Sequence, residues 1–116
     1  KVSNAEIAKM EEKFINMIKT CKNVFGGNAF KNLKSDFEGF TNKINPALFD
    51  AISVATAYVI ERKVLDEKIN YLERYVQLLK KEEFKELISR RTTNVSNIMA
   101  RINMASLKIY GVEYEK

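Results

Sequence analysis

The chain has 116 residues, 46% hydrophobic and 30% charged, with 20 basic against 15 acidic residues and a net charge of +5. This length fits one domain with its own core, and the composition is that of a globular protein. The single cysteine, Cys21, excludes an internal disulfide, and the lack of any histidine excludes a Ser-His-Asp triad and His-ligated zinc.

The first predicted helix runs from Ser3 to Phe25. Ser3 followed by Glu6 has the spacing of a capping box, and Gly26-Gly27 supplies a C-terminal stop. Apolar residues recur at steps of three and four, which predicts one buried face: Ile7, Met10, Phe14, Met17, Ile18, Cys21 and Phe25. On that face Cys21 is expected to be an inert core thiol.

Residues 28–44 are predicted to be a loop or short turns. Their apolar residues lead us to expect an ordered cover that lies against the helices: Phe30, Leu33, Phe37 and Phe40.

The second helix should start at Asn45-Pro46, where asparagine is a good N-cap and proline suits the first helical position. Between residues 47 and 60 only Asp50, Ser53 and Thr56 are polar. A helix that is apolar nearly all round is predicted to lie at the centre of the fold. The three polar residues are either a polar site or the solvent-facing strip of this helix, and we favour the strip.

Three further helices are predicted. The third runs from about Asp66 to Lys80, and its apolar stripe of Ile69, Leu72, Val76 and Leu79 is flanked by Tyr71 and Tyr75. A short helix follows from residue 81 or 82 to about Ser89. The last runs from about Asn94 to Tyr110 and ends at Gly111; its stripe is Val95, Ile98, Ile102, Ala105 and Ile109.

Short motifs occur in a familiar order: FGGNAF at residues 25–30, INPALFD at 44–50, and a closing set of Phe84, Ile88-Ser89, Thr92-Thr93, Val95 and Arg101-Ile102. In order and spacing, over about residues 10–110, the chain resembles the helical region of the GmrS-like family of modification-dependent restriction and phage-defence proteins. Family members begin with a ParB-like domain that carries a DGQQR-type motif, and many end in an HNH nuclease domain. Neither feature is present here, so the family's catalytic residues cannot be carried over.

One polar cluster could contact an anion. Arg90-Arg91-Thr92-Thr93-Asn94 precedes the predicted start of the last helix, where free N–H groups and the helix dipole favour negative charge. Simple capping with solvated arginines is the alternative, and we favour it. Arg101 joins the cluster as a candidate DNA contact on the strength of the resemblance; it could instead pair with Asp50 or face another domain.

Residues 1–116 are therefore predicted to form a single all-α domain, a bundle of about five helices around the helix at 47–60. Because the chain begins with Lys1, we expect it to be a fragment of a larger, cytoplasmic protein. We expect no catalytic residues, metal or cofactor in the isolated chain, although the resemblance implies a parent that is a nuclease or NTPase.

Packing on other domains of that parent, with a contribution to DNA contact and no contact with a membrane, is the expected role. A free-standing adaptor that binds another protein is the alternative.

Overall fold

The computed structural model describes residues 3–34, 38–89 and 94–115, and these are mostly helical. The helices are α1 (Asn4–Phe25), α2 (Pro46–Arg62), α3 (Tyr71–Leu79), α4 (Glu82–Ser89) and α5 (Val95–Ala105), which continues into a π-helical turn at Ser106–Tyr110. The predicted helical class is confirmed. Within the described residues, no helix is long and apolar enough to cross a bilayer.

The ends of α1 and α2 follow from the predicted capping residues. Ser3 Oγ accepts the Glu6 N–H of α1 at 3.2 Å, and Gly26 ends the helix with a φ of 70°. Asn45 Oδ1 accepts the Leu48 N–H of α2 at 3.1 Å. Each cap satisfies N–H or C=O groups that the helix leaves open, so short-range chemistry sets these boundaries.

The loop predicted at 28–44 is wrong in one respect, because it contains a β-hairpin. Strand β1 (Lys31–Leu33) pairs antiparallel with β2 (Phe40–Ile44), with an irregularity in the register between Lys31 and Leu33. Strands this short leave no readable alternation in the sequence. The predicted cover forms at Phe30, Leu33 and Phe40, which pack on the core, whereas Phe37 lies outside the described residues. Phe30 packs against Phe49 of α2, and Tyr75 Oη of α3 donates to the Lys31 carbonyl at 2.7 Å.

The start and buried face of α3 also differ from the prediction. The helix begins at Tyr71, five residues later than expected, because Asn70 caps it by accepting the Glu73 N–H at 3.1 Å. Tyr71 and Tyr75 are buried, whereas Leu72 of the predicted stripe is exposed. The tyrosine hydroxyls can be buried because each finds a backbone partner.

Helix α2 packs against α1, α4, α5 and the π-helical turn. Six of its residues are buried: Leu48, Ala51, Ile52, Ala55, Thr56 and Val59. The prediction that Thr56 lies on a solvent-facing strip is wrong, since its side chain is fully buried. Between Leu48 and Val59, the exposed residues of α2 are Asp50, Val54 and Ala57. Even a largely apolar helix is therefore left uncovered along one side, and that side is partly apolar.

Candidate functional site

A row of buried polar groups crosses the core between α1, α2 and the π-helical turn. The Cys21 thiol donates to Thr56 Oγ1 at 3.5 Å, and Thr56 Oγ1 lies 2.7 Å from Tyr110 Oη. Cys21 and Thr56 are fully buried, and Tyr110 is 5% exposed. These groups satisfy one another, so the row joins three elements of the core and leaves no hydroxyl facing solvent.

The electrostatics of this row make it chemically inert. Burial raises the pKa of the Cys21 thiol to about 11, and the hydrogen bond to Thr56 offsets only part of that effect. Burial likewise raises the pKa of Tyr110 above its ordinary value. A thiol with a pKa of about 11 is almost entirely protonated near pH 7, so Cys21 is not an activated nucleophile. The structure thus agrees with an inert core thiol.

The three polar residues of α2 are not gathered into one site. Asp50 is exposed, Thr56 is buried against Tyr110, and Ser53 Oγ is buried with no hydrogen-bond partner within the described part of the chain. In residues 3–34, 38–89 and 94–115, no group of three or more Cys, Asp or Glu residues could hold a metal ion.

Of the six residues predicted to contact an anion, Arg90, Arg91, Thr92 and Thr93 lie outside the described residues. Asn94 Oδ1 accepts the Ser96 N–H at 2.8 Å and so caps α5. The Arg101 side chain is 4% exposed, and its Nη1 donates to the Leu87 carbonyl at 3.2 Å, in the last turn of α4. A cation at this end of a helix interacts favourably with the helix dipole. An anion contact by the cluster stays a prediction.

A shallow groove of about 350 Å³ lies between α3 and the π-helical turn. Arg74, Lys81 and Lys108 line it together with Glu73, and Arg74 Nη1 donates to the Ile109 carbonyl at 3.1 Å. Sequence reasoning did not bring these cations together, because Lys108 is far along the chain from the other two. The groove is basic, but the Glu73 carboxylate reduces its net charge, and the Arg74 guanidinium is already hydrogen-bonded to a backbone carbonyl.

The most unusual surface is the N-terminal half of α1. Every residue from 3 to 16 is exposed, and burial begins only at Met17. Four large apolar side chains of this segment are open to solvent, with exposed fractions of 43% for Ile7, 61% for Met10, 53% for Phe14 and 50% for Ile15. We call these four residues the free face of α1. The prediction that Ile7, Met10 and Phe14 are buried is wrong.

The free face is exposed because α1 extends beyond the end of α2, the helix packed against it. Cys21 contacts Thr56, and further toward the start of α1, Lys13 Nζ lies 3.3 Å from Glu61 Oε1, so the two helices run antiparallel. Helix α2 ends at Arg62, one residue after that ion pair. The part of α1 before Lys13 therefore extends past the end of α2 by about 14 Å, at a rise of ~1.5 Å per residue.

The free face is comparable in area to the largest apolar patch on a typical monomeric protein, about 300–600 Å². A side chain of this size exposes up to about 200 Å² when fully open, so the four exposed fractions correspond to roughly 400 Å² of apolar-residue surface. Contiguous apolar patches of this size on a protein surface commonly mark interaction sites. It is the feature of the described surface that calls most clearly for a partner.

No protein-family model matches the chain, and no curated protein or solved structure shows significant similarity to it. Its function is therefore argued from the geometry above.

Proposed function

We propose that this chain is a non-catalytic helical interaction domain that docks another protein surface onto the free face of α1. The observation that carries the proposal is the exposure of Met10 and Phe14, each more than half open to solvent, on a helix segment whose described residues 3–16 are all exposed. Large apolar side chains in a row at helical spacing are the usual anchors of a helix that lies in a groove.

The energetics of α1 support a partner. A helix of about 12 residues without tertiary packing is marginally stable in water, because nucleation is costly and most helix stability comes from burial of an apolar face. Covering roughly 400 Å² would contribute up to ~10 kcal/mol before the cost of association is subtracted. Docking of a partner would therefore also stabilise the helical conformation of the N-terminal half of α1.

The resemblance to GmrS-like proteins gives this proposal its specific form. In such a parent, the surfaces open to the free face are the ParB-like domain, another domain of the same protein, or the same face of a second copy. The motifs that carry the resemblance include cap and core positions: Phe25, Phe30 and Phe84 are buried, and Asn45 caps α2. They support a shared fold, so the adaptor that binds a separate protein remains the alternative.

Two further parts of the proposal concern location and architecture. We place the protein in the cytoplasm, where the buried Cys21 stays a thiol. We also propose that the five helices form a bundle organised by α2, supported by its contacts with α1, α4 and α5. Substitution of its buried Ile52, described below, tests this arrangement.

A contribution to DNA contact by Arg90, Arg91, Thr92, Thr93 and Asn94 is the second part of the family-based prediction. Arg101 is the sixth predicted residue, but its side chain is 4% exposed and donates to the Leu87 carbonyl, so we do not assign it a DNA contact. A salt titration of DNA affinity in the full-length protein tests the predicted contribution. Loss of Arg90 and Arg91 should reduce the slope of log K against log salt by up to ~2, because each phosphate contact contributes about 0.9. An unchanged slope would reject this role.

Site-specific photocrosslinking in cells tests the docking proposal. Phe14 is replaced by p-benzoylphenylalanine, and the control carries the same residue in place of Asn16, which is exposed on the opposite side of α1. We expect adducts from position 14, with a second protein or with another segment of the same protein, identified by mass spectrometry, and few from position 16. Equal yields at the two positions, or none at either, would refute docking on the free face.

A further inference from the structure

We propose that the occupant of the free face of α1 is the same face of a second copy of this chain, with the two helices antiparallel. The inference rests on the proposed function, since it names the partner of that site. Three observations carry it: the match between the length of the exposed segment and the overlap of two such helices, the charges beside the apolar face, and the area that pairing would bury.

The spacing of apolar residues sets the register. Ile7, Met10 and Phe14 lie three and four residues apart, as the seam positions of a helix pair do. In an antiparallel pair with Ile7 of one copy opposite Met10 of the other, Phe14 faces Ser3, and the two-fold axis passes between residues 8 and 9. The overlap then covers residues 3–14, all of which are exposed. Burial in each copy begins at Met17, so the two bodies lie at opposite ends of the pair.

The flanking charges favour this orientation. Glu6 and Lys13 are seven residues apart and lie on the same side of the seam, so in the antiparallel register Glu6 of each copy lies beside Lys13 of the other. Asn4 lies beside Glu11 on the other side. In a parallel pair, Glu6 would instead face Glu11 of the second copy, which is repulsive. The exposed ion pair of Lys13 with Glu61 is easily exchanged, because pairs in water are weak.

Ile7, Met10 and Phe14 expose roughly 300 Å² in each copy, so two copies with their polar flanks would bury on the order of 1,000 Å², about the least area that a specific interface needs. An interface of this size is typical of weak or transient association. A bilayer surface fits less well. The exposed segment carries three glutamates and two lysines, a net charge of −1, whereas helices that bind anionic lipid are basic on their polar face.

Sedimentation equilibrium of the purified chain from about 1 to 500 μM tests the pairing. We expect a monomer–dimer equilibrium that Met10→Glu abolishes, while Lys9→Glu, a charge change on the opposite side of α1, leaves it within about 2-fold. Met10 is 61% exposed, so its replacement should leave the helix content measured by circular dichroism largely unchanged. A dimer that survives Met10→Glu would overturn the proposal, because it would use another surface.

A charge swap tests the register. Glu6→Lys or Lys13→Glu alone places like charges together twice per dimer and should weaken the dimer roughly 5- to 30-fold. Both substitutions together recreate two opposite-charge pairs and should restore the affinity to within about 3-fold. Within one helix these residues lie about two turns apart, so rescue cannot come from an intrahelical contact. Failure of the rescue would overturn the antiparallel register.

The outcome separates the two proposals. A chain that is monomeric at every concentration, yet forms photoadducts at position 14 with a different protein, would overturn self-pairing and leave the proposed function standing. A monomeric chain without adducts at position 14 would overturn both.

Discussion

The hydrogen bond between Thr56 and Tyr110 gives the sharpest prediction about stability. Thr56→Val keeps the shape of the side chain and removes only the hydroxyl, which is fully buried and lies 2.7 Å from Tyr110 Oη. The Tyr110 hydroxyl is then left in the core without this partner. Stranding a buried polar group costs about 1–3 kcal/mol, so the free energy of unfolding should fall by that amount.

A double-mutant cycle isolates this interaction. Tyr110→Phe should also cost about 1–3 kcal/mol, because it leaves the Thr56 hydroxyl without its strongest partner. When both hydroxyls are removed, neither is stranded, so the double variant should lose about 1–2 kcal/mol less than the sum of the single losses. Thr56→Val removes the weaker contact from the Cys21 thiol whether residue 110 is Tyr or Phe, so that contact cancels from the coupling.

Urea denaturation followed by circular dichroism measures each free energy of unfolding by linear extrapolation. Thr41→Val is the matched control, because the Thr41 hydroxyl donates to the Lys43 carbonyl at an exposed position, and we expect a loss below about 0.5 kcal/mol. Additive single losses, with a coupling below about 0.3 kcal/mol, would show that the two hydroxyls do not bond in solution and would refute this account of the core.

Three further predictions test other parts of the fold. Because burial raises the pKa of Cys21 from 9.0 to about 11, the protonated thiol stabilises the folded state below pH 9, and this contribution is lost as the pH rises. The free energy of unfolding should therefore be about 1.4 kcal/mol lower at pH 10 than at pH 8 on account of this group. Cys21→Ala should remove that contribution. Arg101→Met should lower the free energy of unfolding by about 1–3 kcal/mol, because the Leu87 carbonyl loses its donor. Arg62→Met, at an exposed position, should lower it by less than about 1 kcal/mol, and equal losses would contradict the buried role of Arg101. Ile52→Ala should cost about 2–5 kcal/mol and Ile7→Ala under about 0.5 kcal/mol in the monomer, measured by chemical denaturation at low protein concentration, and a small loss at Ile52 would undo the role given to α2.

The amino-acid sequence alone determined the helical class and several helix boundaries. Ser3, Asn45 and Asn94 each accept a backbone N–H two or three residues ahead, and Gly26 and Gly111 adopt the positive φ that ends a helix. These capping interactions join residues within one turn of each other, so the local sequence is enough to predict them. The cover formed by Phe30 over α2 was also predictable, because an aromatic residue in a short connection gains most by packing on its neighbours.

Long-range packing decided the rest. The hairpin depends on Tyr75, which holds the Lys31 carbonyl from 44 residues away. The burial of Thr56 depends on Tyr110, 54 residues away. The residues next to Tyr75 and Thr56 in the sequence do not indicate these distant partners. Hydropathy alone therefore predicted that Thr56 lies on the surface. A polar group can enter the core when the fold brings it a partner, and only the tertiary structure shows which groups are paired.

The candidate site shows the same division most clearly. The sequence identified Ile7, Met10 and Phe14 correctly as one apolar face of a helix, and from that pattern it predicted a buried stripe. An amphipathic pattern shows that a face is suited to burial, but not whether another element of the same chain reaches it. Because α2 ends at Arg62, beside the level of Lys13, it covers only the second half of α1. The relative lengths of two antiparallel helices therefore turned a predicted core stripe into an interaction surface.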